Sequence, residues 1–170
     1  MLDETLRIIA DSDARTMAIW VLMNVPGAPP ILQSVHILAI AALAGTVGIL
    51  HLRLLGWAVG QLDPGDMIRR YRYWFVGSIG IAFLSGLPLV LARPGRYFLN
   101  PVAGAKVAFF AIAVVLTIIV FIREQRRPGS WHESLWSTRG LALVSTLAWV
   151  GVIFAGRWIA YVDYLYWDEG

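Results

Sequence analysis

Residues 31–58 read ILQSVHILAIAALAGTVGILHLRLLGWA, and this stretch decides the fold. It is an apolar run long enough to cross a bilayer, whose hydrocarbon core of about 30 Å needs about 20 helical residues. It also carries His36, His51 and Arg53. Lipid offers no partner to an imidazole or a guanidinium, so ionisable groups at such depth mark a site or a structural lock. The two histidines lie about 22 Å apart along an ideal helix axis and about 60° apart around it. They share one broad face in opposite leaflets.

Working outward, residues 71–92, 101–122 and 139–161 read as three further spans. The breaks are VPGAPP (25–30), QLDPGD (61–66), ARPGRYFLNP (92–101) and REQRRPGSWHESLWSTR (123–139), rich in the residues that end helices. The last of these leaves room for a short interfacial helix at 130–136. Residues 5–24 are too short and too mixed to span and predict an amphipathic interfacial helix, with Ser12 or Asp13 capping a second piece that ends near Asn24. The expected fold class is therefore all-α integral membrane, a four-transmembrane-helix bundle with an N-terminal amphipathic interfacial helix, residues 1–170 forming one membrane domain.

Composition agrees. Hydrophobic residues make up 58% of the chain and charged residues 15%, with mean hydropathy +0.67. That is too apolar for a soluble domain of this length. The net charge of +3 comes from 14 basic against 11 acidic residues, and Lys106 is the one lysine. The arginines flank apolar runs, so they read as topology signals and headgroup contacts and exclude a nucleic-acid surface. Arg53, Arg69, Arg70, Arg72, Arg123, Arg126, Arg127 and Arg139 gather on one side. This places loops 60–70 and 123–138 in the cytoplasm and both termini in the periplasm, in a bacterial cytoplasmic membrane. The absence of cysteine excludes thiolate chemistry and Cys-ligated metals. The acidic start, MLDETLRIIADSDA, lacks the basic region of a signal peptide, so the N-terminus is expected to be retained.

Depth groups the polar residues. His36, Lys106 and Arg157 each lie near the periplasmic end of a different span, where three converging donors would make an anion or cofactor site. Against this stands the plainer outcome that Lys106 and Arg157 snorkel to headgroups and His36 bonds a neighbouring helix. His51 sits in the other leaflet, an arrangement like that of dihaem b-type cytochromes. Bis-histidine ligation needs a facing histidine, and the other spans have none. A haem b would need a single histidine, a His–Met pair, the loop residue His132 or a symmetry mate. Met1, Met17, Met23 and Met67 all fall outside the predicted spans, and a soft copper site on His36 would require Met17 or Met23 to fold over the bundle mouth. Arg53 is expected to hold a loop carbonyl, Asp63 or Asp66.

No Asp or Glu falls within a predicted span, which argues against a carboxylate-relay transporter. Ser85 and Ser145 have no base beside them, which argues against a hydrolase. Ser78, Ala82 and Gly86, and Ala41 with Gly45 and Ala44 with Gly48, form small-residue stripes read as contacts within the bundle, with a homo-oligomer interface as the alternative. Trp149 is expected in core packing, Pro88 at a kink, and Trp57, Trp74, Trp131, Trp136, Trp158 and Trp167 in interfacial belts.

The segments S-V-H-I-L-A (34–39), L-R-L-L-G (52–56), N-P followed by Lys106, and S-x-x-x-W running into G-R-W-I-A-Y (145–161) resemble a family of small bacterial four-helix membrane proteins of unknown function, itself distantly like the CopD-type copper-resistance membrane proteins. The resemblance implies the same architecture, with His36, Arg53, Lys106 and Arg157 at its polar positions. Through CopD it suggests copper handling or a b-type haem, although this chain lacks rich Met/His sets. The leading expectation is a bundle, not an enzyme on its own, that binds a cofactor (haem b or quinone) or a lipid-like ligand through His36, Lys106, Arg157 and His51, as an anchor or electron-transfer subunit. The alternatives are a structural or assembly subunit of a membrane complex and a transporter of copper, bound at His36, or of another small solute.

Overall fold

Seven α-helices form among the described residues, and local chemistry sets where each begins and ends. They are α1 (Leu2–Ala10), α2 (Asp13–Asn24), α3 (Ala28–Leu55), α4 (Pro64–Ala92), α5 (Pro94–Phe98), α6 (Pro101–Arg126) and α7 (Leu135–Leu165), with a single 3-10 turn at Ser130–His132. This computed structural model describes residues 2–132 and 134–165, and no strand occurs among them. Trp167 and the side chains of His132 and Arg96 lie outside the described residues. Ser12 caps α2 by accepting from Arg15 N at 3.2 Å, and Asp63 and Asn100 cap α4 and α6 by accepting from Asp66 N and Val102 N at 3.1 and 2.9 Å. Each satisfies a backbone donor that the first turn leaves open. Proline follows in the first turn of α3, α4 and α6, where it costs no hydrogen bond.

Several boundaries differ from the hydropathy reading, with α3 beginning at Ala28 and α7 running from Leu135 to Leu165. α3 stops at Leu55 because Gly56 adopts the left-handed conformation (φ 79°) and its N–H, with that of Trp57, returns to Arg53 O and Leu52 O. α4 starts at Pro64 and so takes Met67 into the helix, where it is buried. α6 runs on to Arg126 and brings Glu124 with it, also buried. The spans thus do carry a carboxylate and a methionine. Apolarity marks where lipid touches a helix, whereas hydrogen bonding continues the helix past that window. The N-terminal segment is two helices, parted at Asp11–Ser12.

α3, α4, α6 and the stretch Leu135–Ile159 of α7 are long and apolar enough to cross a membrane. Their outward positions, among them Leu38, Phe83, Leu84, Val107 and Phe154, are exposed large hydrophobics, the surface that suits lipid. The chain is a multi-pass membrane protein. Around the ring, α3 packs along α4, α4 touches α6, α6 packs along α7, and α7 closes on α3. α2 lies on α4 and α1 on α5, at the end that carries both termini.

The core has two layers. One, at the arginine-rich end, gathers Leu50, Leu54, Met67, Ile68, Val120 and Trp131. The other, nearer the middle, gathers Leu43, Val47, Phe75, Ala113, Ala148 and Trp149. There Trp149 meets Phe75 and Phe110 edge-on, at centroid distances of 6.1 and 5.9 Å, and donates its indole N–H to Thr117 Oγ1 at 3.1 Å. Of the small-residue stripes, Ser78 is buried and Gly86 lies against α3, but a Cβ at Gly45 or Gly48 would meet nothing within 4 Å. The α3 stripe therefore makes no close contact within the bundle.

Trp149→Ala should cost about 3–5 kcal/mol because it removes a large buried ring. Trp149→Phe keeps most of the packing and forfeits mainly an interhelical hydrogen bond, about 0.6 kcal/mol on average in membranes. Denaturation of the two variants in detergent, compared with the parent, measures the gap.

Candidate functional site

Near the terminal end, the His36 imidazole of α3 occupies the space that a side chain at Gly86 of α4 would fill. A Cβ there would fall 2.8 Å from Cε1 and 3.1 Å from Nδ1. Nδ1 lies 2.8 Å from Ala82 O and 3.3 Å from Ser85 Oγ. Ser85 donates its one proton to Ile81 O at 2.6 Å, so both neighbours of Nδ1 are acceptors. Nδ1 therefore carries the proton, and in the neutral ring Nε2 presents a lone pair. His36 is half-buried, and Nε2 has no hydrogen-bond partner among the described residues while keeping some access.

Lys106 of α6 is also half-buried, with its Cε and Nζ laid over Gly156 of α7, 3.4 Å from where a Cβ would stand. Among the described residues no carboxylate pairs with it. Arg157 does not join this pair. It is exposed, with its guanidinium on Tyr161, Nη2 donating to the phenol oxygen at 3.2 Å. Met17 and Met23 are 69% and 79% exposed, so neither is buried against His36.

In the other half, His51 is fully buried. Its Nδ1 lies 3.1 Å from Thr146 Oγ1 on α7, and Thr146 itself donates to Ala142 O at 2.7 Å. The imidazole is thus the donor here too. Its Nε2 is sealed without a partner, as is Ser145 Oγ. In place of a facing histidine, His51 has Thr146 of α7 as its partner. Arg53 takes the loop-carbonyl option, donating from Nε to Leu62 O at 2.6 Å.

Glu124 is the polar residue that the sequence reading missed. Its carboxylate accepts from Arg69 Nη1 at 2.8 Å and from Trp131 Nε1 at 2.7 Å, and Trp131 is buried rather than placed in an interfacial belt. Gly65 makes room, since a Cβ there would fall 2.6 Å from Oε1. The carboxylate thereby reaches the first turn of α4, whose open N–H groups favour negative charge. Its one signal in sequence is an acid set in the basic run REQRR.

A family model described as "Family of unknown function (DUF6644)" matches residues 28–162. The chain belongs to DUF6644. The match opens on the first residue of α3 and closes inside α7, so it takes in all four long helices and leaves α1 and α2 outside. Searches of curated proteins and of solved structures returned no match.

The DUF6644 bundle thus divides the residues singled out by depth. His36 lies against α4 and Lys106 against α7 in the same half of the bundle, Arg157 is exposed on Tyr161, and His51 belongs to the opposite half. No cluster of three or more His, Cys, Asp or Glu suited to a metal occurs among the described residues. Both imidazoles are held by Nδ1–H, which is how ligating histidines are oriented. Only the Nε2 of His36 is reachable.

Gly86→Ala should destabilise the bundle by pushing His36 out of its seat, and the same change in a His36→Ala background should cost much less. A double-mutant cycle on detergent-solubilised protein measures this coupling, expected at about 0.5–3 kcal/mol for residues in contact.

Proposed function

We propose that this DUF6644 protein is a membrane-embedded binding bundle whose terminal end holds the head of a hydroxylated amphipathic molecule of the quinol class, as the anchor or electron-transfer subunit of a larger assembly. The supporting observation is the fixed orientation of His36. Its Nδ1–H is committed to Ala82 O, which leaves Nε2 as an acceptor in the same half of the bundle as the Lys106 ammonium, which has no carboxylate partner among the described residues. A hydroxyl complements this pair, because it donates to Nε2 and accepts from Lys106 Nζ. The ammonium also repels a metal cation on the same imidazole, which ranks copper below a quinol.

In this reading the membrane is the bacterial cytoplasmic membrane and the arginine-rich loops face the cytoplasm. The site then opens toward the periplasmic leaflet, and its ligand enters from lipid. A structural subunit without a ligand is the second reading, favoured by the packing of His36 into Gly86, which also serves as a helix lock.

Titrating the detergent-solubilised chain with a short-chain quinol, followed by tryptophan fluorescence, separates the two. Saturable binding is expected, weakened about tenfold or more in Lys106→Met, since a charge-assisted hydrogen bond contributes about 1.5–3 kcal/mol. Lys106→Arg should retain part of it. Absence of saturable binding, or equal affinity in Lys106→Met, would leave the structural reading.

A further inference from the structure

Where α3 meets α4 on the lipid-facing side, a groove of about 510 Å³ runs between Val35, Leu38 and Ala42 on one wall and Trp74, Gly77 and Ile81 on the other. Its lining is almost wholly apolar, which suits an acyl chain. The two walls continue toward the arginine-rich end in a defined way. Arg53 follows Val35 by eighteen positions, five full turns at 3.6 residues per turn, and therefore lies on the same face of α3. Arg70 precedes Trp74 by four positions and Gly77 by seven, the spacing of one helix face on α4.

These cations are not used up by the protein. Arg69 serves Asp66 and Glu124, and Asp63 caps α4, which leaves exposed Arg70 without a carboxylate among the described residues. Among the described residues Arg53 bonds through Nε alone, to Leu62 O. Arg72 donates from Nη2 to the Tyr73 phenol oxygen at 2.6 Å with its guanidinium 4.7 Å from the ring centroid, adding charge while pinning an aromatic residue that lines the groove.

We propose that this groove is a binding site for an anionic phospholipid, its acyl chain between α3 and α4 and its phosphate on Arg53 and Arg70. An apolar cleft with cations at one end matches an amphiphile with one negatively charged end. A second copy of the chain, paired by a two-fold axis along the membrane normal, would bring the same arginines to the same depth and oppose like charges. The site is distinct from the His36–Lys106 pair, which lies near the other end of the bundle.

The test is native mass spectrometry of the full chain released from nanodiscs that contain equal amounts of phosphatidylglycerol and phosphatidylcholine with identical acyl chains. Retention of one phosphatidylglycerol in clear preference is expected. Arg70→Gln should lower that preference about fivefold, the effect of one arginine near an anionic surface. A Cβ at Gly77 meets nothing within 4 Å, so a side chain there starts in open space, and Gly77→Leu should fill the groove and abolish retention of both lipids, with unchanged helix content by circular dichroism showing that the fold is kept. Equal retention of the two lipids by the parent chain, an unchanged preference in Arg70→Gln, unchanged retention in Gly77→Leu, or a lipid-free dimer would each overturn the proposal.

Discussion

A membrane interior has no water to absorb an unpaired polar group, and in this bundle that constraint is met by polar bonds between neighbouring helices. His36 joins α3 to α4 through Ala82 O, and His51 joins α3 to α7 through Thr146. Trp149 joins α7 to α6 through Thr117, and Arg69 joins α4 to α6 through Glu124. Every neighbouring pair around the ring is thus tied at least once. Individually such bonds contribute little, about 0.6 kcal/mol on average, so they fix which faces meet more than they hold the helices together. The bulk of the cohesion comes from close packing, around Trp149 in the middle and Leu50 and Ile68 nearer the arginine-rich end.

The same bonds divide the ionisable groups into those consumed by structure and those left over. Glu124 is satisfied on both oxygens and acts as a clamp that draws the loop residue Trp131 under the bundle. His51 is locked and sealed, with no path to its free nitrogen. His36 and Lys106 differ because Gly86 and Gly156 let them lie flat against neighbouring helices while a reactive atom of each keeps access. Removing a side chain from the partner helix is what turns a buried polar group into a reachable one.

Much of the architecture was legible in the chain. Four apolar runs, the capping residues and the prolines gave four long helices in a membrane, because these signals act within a few residues of one another. Trp149 was readable as core for the same reason. Less of the site was legible. Depth along a span is a local quantity and grouped His36, Lys106 and Arg157, but it holds no information on rotation about the helix axis, and the Arg157 side chain lies on Tyr161. Glu124 escaped because hydropathy closed the third span two residues before it.

By itself, then, the sequence determined the class of molecule, the number of spans and the depth of each polar residue, all consequences of hydropathy and of a fixed rise per residue. The tertiary structure alone decided the partners: Thr146 for His51, Arg69 and Trp131 for Glu124, Gly86 as the seat of His36. Partnership depends on which helices are neighbours and on how each is rotated about its own axis. A single residue's shift in helix phase turns a side chain by about 100°, and no local pattern records it.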